Sequence, residues 1–243
     1  MKQQVKCLYH TMASLKRGLV FLLHKNPQFL EIIKNYENYH EKPHVTPMTM
    51  IRLALIENWI EPYSSVLEVG CGEGFNMQYL VNVRNVNAIG IDVSIKAVEK
   101  ARARGLRAFV RDAESENLSS IGKFDYVLLI EVLEHLRYPH KVLLEACKVA
   151  SKGVIVTLPN SGWIGWRMQL LRGYFPRQSF THLHFFTIRD FDLFLKTLGL
   201  RALDMKTELD YYQVNVFPCN KFKNLLAYQQ AWLIMPCNNT NKS

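Results

Sequence analysis

The chain has 243 residues, 49% of them hydrophobic and 21% charged, with a formal net charge of +9. That length suits one α/β domain with a small appendage, and the absence of repeats, long low-complexity tracts or an apolar run near roughly 18 residues excludes fibrous and membrane-spanning classes. The Lys and Arg residues are spread without a block, so a basic soluble surface is expected rather than a specific nucleic-acid site.

Five scattered cysteines (Cys7, Cys71, Cys147, Cys219, Cys237) form no CxxC pair and have no zinc-ligand spacing, which reads as reduced thiols in a cytoplasm. The basic start and the short apolar stretch Leu19 to Leu23 do not make a signal peptide.

Residues 1–62 read as a helical extension or lid. Leu8, Met12, Leu15, Leu19 and Leu22 fall on one helical face, which can pack on the domain, on a second subunit of a homodimer, or peripherally on a membrane. Asn26-Pro27 and Thr46-Pro47 each look like a capped helix start, giving helices near 27–40 and 47–60.

From Ser65 short β-branched runs alternate with helical segments, the pattern of βαβ units. Strands are expected at 65–69, 87–92, 107–110, 124–130, 153–158, 200–207 and 230–235, with a helix at 188–198. The fold class is α/β: a doubly wound, mostly parallel, seven-stranded Rossmann-like sheet over 63–236, with an acceptor-side insertion at 161–186 and a frayed tail at 237–243. In the insertion, Trp163, Trp166, Tyr174 and Phe175 alternate with Arg167, Arg172 and Arg177, stacking faces and cations that could serve a nucleobase, a phenolic ring or an acidic acceptor, with core and lid packing the preferred reading.

The first strand ends in Glu68 and runs into Gly70-Cys71-Gly72-Glu73-Gly74. Glycine there lets the backbone approach a ligand at the carboxyl edge of the sheet. Phe75 breaks the dinucleotide GxGxxG pattern. Asp92 closes the second strand, where a carboxylate can accept from ribose hydroxyls, and Asp112 follows the third.

Together these residues resemble the class I S-adenosylmethionine-dependent methyltransferases. The resemblance implies that Glu68 lies near the methionine amino group, that Gly70, Cys71, Gly72 and Gly74 line the cofactor, that Asp92 holds the ribose and that Asp112 with Ala113 frames adenine. Glu131 is expected on the same cofactor wall.

The strand at 124–130 delivers Glu131-Val132-Leu133-Glu134-His135 to the same edge. A helix beginning here would project Glu131, Glu134 and His135 from one face. His182 and His184 lie just before the penultimate helix. His135, His182 and Glu134 are the candidate catalytic residues, with an imidazole as base. The Glu-x-x-Glu-His run is similar to that of the quinone-biosynthesis O-methyltransferases, and the later His to one in the small-RNA 2′-O-methyltransferases. In members that bind a divalent cation, Glu131, Glu134, His135 and His182 would hold it, as oxygen-rich Mg²⁺ or Mn²⁺ ligation. The reading preferred for this chain has no metal.

The distal segments Val156 to Trp163, Arg167 to Gly173, Phe186 to Phe191 and Asn224 to Ala227 resemble the MetW-type proteins of methionine biosynthesis. That likeness implies a cofactor-binding partner of homoserine O-acetyltransferase with little methyl transfer of its own. Two departures favour an active methyltransferase on a small-molecule acceptor, with an oxygen expected as the methylated atom. The Glu131 to His135 run replaces a Gln-rich equivalent, and much of the aromatic insertion between Pro176 and His182 is absent.

Overall fold

A computed structural model describes residues 46–175, 179, 181–214 and 221–236. The amphipathic segment 8–22, the helix expected near 27–40 and the tail 237–243 lie outside the described residues.

The first described element is α1 (Pro47–Ile56). Thr46 caps it, its hydroxyl accepting from the Thr49 N–H at 3.2 Å, with proline at the first helical position. The expected 47–60 helix is shorter than read: it gives way to a 3₁₀ turn at Glu57–Trp59.

The sheet then builds from β1 (Ser65–Val69), β2 (Asn87–Asp92), β3 (Arg107–Val110), β4 (Phe124–Ile130), β5 (Ala150–Pro159), β6 (Ala202–Thr207) and β7 (Gln229–Ile234). Its order is β3-β2-β1-β4-β5-β7-β6. The first five strands are parallel, and β7 runs antiparallel to both β5 and β6. Helices α2 (Phe75–Arg84), α3 (Ile95–Ala103) and α4 (Pro139–Val149) connect the parallel strands. Beyond β5 come α5 (Ile164–Leu171) and α6 (Ile188–Thr197). The 161–186 insertion therefore contains a helix that composition alone did not reveal.

Both sheet faces are buried, which is why β1 and β4 are continuous apolar runs. Leu67, Val69, Val127 and Leu129 pack against Val142, Leu143 and Ala146 of α4 and Phe191 of α6. On the other face Val66, Leu128, Ile130 and Ile155 meet Met77, Leu80, Val98 and Ala101, and α1 adds Leu53, Leu55 and Ile56. No helix of the described residues is long and apolar enough to cross a membrane.

The chain leaves β1 outward to β2 and β3, then returns to β4 on the other side. That reversal opens a crevice at the carboxyl ends of β1 and β4, where open α/β sheets bind ligands.

Candidate functional site

Three glycines shape the turn after β1. Gly70, Gly72 and Gly74 take φ of 70°, 51° and 79°, a left-handed region open to glycine at little cost. A Cβ on Gly70 would stand 2.6 Å from a Val132 methyl, whereas one on Gly72 would meet nothing, leaving open space over that peptide. The turn is pinned from below: the Gly70 and Cys71 N–H groups both donate to the Ile91 carbonyl, at 2.8 and 3.0 Å. Cys71 packs over Gly90, where a Cβ would come within 2.6 Å of its Sγ, so it fills space. Burial is the main cause that pushes its thiol above the usual range, with Glu68 and Asp92 adding to it.

Asp92 ties the turn to β2. One carboxylate oxygen accepts from the Gly72 N–H and the other from the Ser94 N–H, both at 2.8 Å. Glu68 is sealed under the turn rather than open to it. Its Oε1 accepts from the Asn76 side chain at 2.7 Å, and Oε2 has no partner among the described residues. Burial, reinforced by the charge of Asp92, pushes its carboxyl up to about 8. Asp112 begins a tight turn, accepting from the Glu114 N–H and the Ser115 hydroxyl, each at 2.9 Å. The Glu114 bond is the largest cause holding its carboxyl below the ordinary value.

Two cavities meet over this edge. One, of about 450 Å³, is walled by Gly70, Gly72, Asp92, Ser94, Asp112 and Ala113. The other, of about 420 Å³, is walled by Arg52, Cys71, Asn76, Glu134, Ser179 and His182. Gly70, Gly72, Glu131 and His135 line both. Glu68 lines neither and meets the second cavity through Asn76. Gly74 lines neither as well: a Cβ there would stand 2.4 Å from Leu106, so it serves the packing of the turn on α3.

The segment after β4 corrects the sequence reading. No α-helix starts at Glu131. That residue sits at φ 55°, a left-handed conformation unusual for a non-glycine side chain, and Leu133–His135 forms a single 3₁₀ turn. The two acids therefore point apart instead of sharing one helical face. Glu131 pairs with Arg52 of α1 at 2.8 Å and accepts from Thr157 Oγ1 at 3.3 Å, while the Gln229 amide faces it at 3.4 Å. Glu134 turns inward, 2% exposed, with neither oxygen bonded among the described residues. Burial first, then the charge of Glu131, raises its carboxyl well above the ordinary value.

The Glu134 backbone does the docking. Its carbonyl accepts from the Leu183 and His184 N–H groups at 2.7 and 3.1 Å, which brings His182 beside His135. Their rings meet nearly perpendicular, 4.7 Å apart. His135 Nδ1 lies 3.3 Å from the Thr181 carbonyl, and since a carbonyl only accepts, Nδ1 carries the proton and Nε2 is left as a free base. Burial lowers the His135 value, and burial with the neighbouring His135 pushes His182 down to about 4. His184 stacks on Phe186 instead of joining them.

One nitrogen or oxygen each of Glu134, His135 and His182 lies within 4.8 Å of the others. An orphaned carboxyl and two neutral imidazoles fit a divalent cation. Glu131 is drawn out of that set by Arg52.

Arg52 was missed from sequence. It stands 79 positions before Glu131, and its only local signal is a lone cation within the apolar run Ile51-Arg52-Leu53-Ala54-Leu55. Gln229 was also missed, a buried amide at the start of β7.

Comparisons with known proteins follow this geometry. The family model described as methionine biosynthesis protein MetW matches residues 51–234. The mitochondrial ubiquinone biosynthesis O-methyltransferase of Candida albicans is 31% identical over 119 residues, which is 45% of this chain and 36% of that protein. The chain thus spans well under half the length of this curated relative. A SAM-dependent methyltransferase from Archaeoglobus fulgidus superposes with a TM-score of 0.59 at 18% identity, covering 82% of this chain and 98% of that one. Magnesium protoporphyrin IX methyltransferase from Synechocystis PCC 6803, solved with bound SAH, gives 0.54 at 15% identity, covering 96% and 99%. These structural likenesses are likenesses of fold.

Proposed function

The chain belongs to the family described as methionine biosynthesis protein MetW, and from that footing we propose that it is an S-adenosylmethionine-dependent methyltransferase acting on an oxygen of a small-molecule acceptor. One observation carries the reading: the glycine-lined cleft with Asp92 and the pocket with His182 share a wall that includes His135. A donor that runs from the glycine-lined cleft past that wall to Arg52, and an acceptor lodged in the second pocket, meet beside a base.

In this reading Asp92, already oriented by Gly72 and Ser94, accepts from the ribose hydroxyls, and Asp112 with Ala113 frames adenine. Glu131 takes the ammonium end of the methionine moiety. Arg52, one arm of which already holds Glu131, offers its remaining N–H groups to the carboxylate. The donor supplies an activated sulfonium methyl, so the protein's work is alignment, exclusion of water and removal of one proton. His135 Nε2 removes it. Helix α1 walls the cavity through Thr49 and Arg52. The buried, reduced thiol of Cys71 suits work in a reducing cytoplasm.

Calorimetry with S-adenosylmethionine tests the core of this. Asp92→Ala should abolish binding, and Asp92→Asn should weaken it while keeping one oxygen for the turn. Full retention of affinity in both would refute the ribose role.

A second reading is favoured by the unpartnered carboxyl of Glu134. A divalent cation held by Glu134, His135 and His182 would supply Lewis acidity to an acceptor hydroxyl. Equilibrium dialysis with Mn²⁺, wild type against Glu134→Ala, decides it: no bound metal in the wild type discards the reading. The family's description also admits a role in methionine biosynthesis, in which, by the resemblance to the MetW-type proteins, the chain would act beside homoserine O-acetyltransferase. Transfer of labelled methyl from S-adenosylmethionine into fractionated cell extract by the purified chain would set that role second; no label moved would set it first.

A further inference from the structure

Helix α5 is turned the wrong way for an ordinary surface helix. Its entrance and middle bury Trp163 and Trp166, which pack edge-on against each other and on Tyr228. Its end leaves Leu170 and Leu171 in solvent, Leu171 at 80% exposure, and the chain continues into exposed Tyr174 and Phe175. Leu183, at 54%, is exposed on the strand of chain that Phe175 reaches through a 5.0 Å contact with Phe185. Single exposed leucines need no explanation, but a contiguous apolar patch marks an interaction surface.

The charge along this stretch of chain has one sign. Between Glu145 and Asp190 the sequence holds no Asp or Glu, while Arg167 and Arg172 are exposed on α5 and at its end, and the Arg172 guanidinium lies 5.9 Å over the Tyr174 ring. The patch also leads inward: Phe185 lies 6.5 Å from His182, and His182 4.7 Å from His135.

We propose that Leu170, Leu171, Tyr174, Phe175 and Leu183, with Arg172, seat the protein on a lipid bilayer that carries anionic headgroups. Aliphatic tips enter the acyl boundary, tyrosine lies at headgroup depth and arginine meets phosphate, the division of labour of interfacial segments. The two tryptophans, the largest flat rings of the segment, are buried, and three of the six exposed positions are leucines, which offer a base no face to stack on. Placement at the rim of the pocket gives the seating a use: a lipophilic acceptor would pass from bilayer to His182 and His135 without crossing water. That use rests on the methyltransferase reading, whereas the seating itself does not.

The experiment is co-sedimentation of the full chain with phosphatidylcholine vesicles, with and without phosphatidylglycerol. The chain should pellet with the anionic vesicles and be released by high salt. The double substitution Leu171→Ser and Phe175→Ser, at exposed positions that leave the fold intact by circular dichroism, should lower partitioning at least about tenfold. Arg172→Gln should lower it a few-fold and flatten the salt dependence. Wild type that stays in the supernatant with anionic vesicles, or a double variant that pellets as well as wild type, overturns the proposal. A chain that shifts tRNA in a gel while ignoring vesicles overturns it in favour of RNA. Pelleting is read without methyl transfer, so a chain that binds vesicles but moves no methyl group sinks the activity alone.

Discussion

Glu68→Gln is the substitution whose consequence can be worked furthest. Glu68 is fully buried at the end of β1, its first oxygen accepting from Asn76 and its second unpartnered among the described residues. Its carboxyl ionises at 4.5 in a free chain and, through burial and the charge of Asp92, at about 8 in the folded one. Between those values the folded protein holds a proton that the unfolded chain has lost. Stability therefore falls as pH rises through this window, by about 1.4 kcal/mol per pH unit, is fully present below the lower value and levels off above the upper one. Between about pH 6 and about pH 8 the loss from this one group comes to about 2 kcal/mol, the last part of the slope being flattened near the midpoint. Glutamine keeps the shape and an oxygen for Asn76 but cannot ionise. Urea denaturation of both proteins across that range should show the stability difference closing or reversing by about 2 kcal/mol in favour of the variant as pH rises. Parallel profiles would refute the neutral carboxyl.

Arg52→Gln should weaken S-adenosylmethionine by about tenfold or more in calorimetry, the usual loss for a hydrogen bond to a charged group; an unchanged affinity removes Arg52 from the donor site. His135→Ala should cut turnover by about 10²- to 10⁴-fold while donor affinity moves only a few-fold. Were both lost together, the ring would belong to donor binding and the base would have to be sought elsewhere.

What the sequence made legible follows from how local each feature is. Strands β1 to β4 have the bounds that their apolar runs indicate, and in β1 and β4 the reason is burial on both faces, which leaves little room for polar residues inside them. The start of β5 was illegible for the same reason: Ser151 and Lys152 are exposed and polar, and only the pairing of Ala150 with Phe124 makes them strand. Leu200 read as strand through its hydrophobicity, yet β6 begins at Ala202. The glycine turn, Asp92 and Asp112 could be found because each lies at the end of its own strand. Arg52 and Gln229 reach the same cavities from α1 and β7, and nothing in their immediate neighbours announces where the sheet will carry them.

The Glu131 to His135 segment shows why spacing alone misleads. Residues three and four apart share a face only if the backbone between them is helical, and here Glu131 is left-handed and the following turn is 3₁₀. On a helix the two carboxyls would stand side by side and repel, and each would need a cation or a proton. With Glu131 left-handed, one acid reaches Arg52 and the other is buried beside two imidazoles, where burial and the charge of Glu131 hold its carboxyl above the ordinary value. An unusual φ of this kind costs on the order of 1–3 kcal/mol and persists only where the surroundings enforce it; the Glu131 N–H bond to Thr157 and the docking of Leu183 and His184 on Glu134 are what enforce it here. The strained residue thus divides the site, placing a charged pair where the donor's amino-acid end would lie and a proton-accepting wall where the acceptor would.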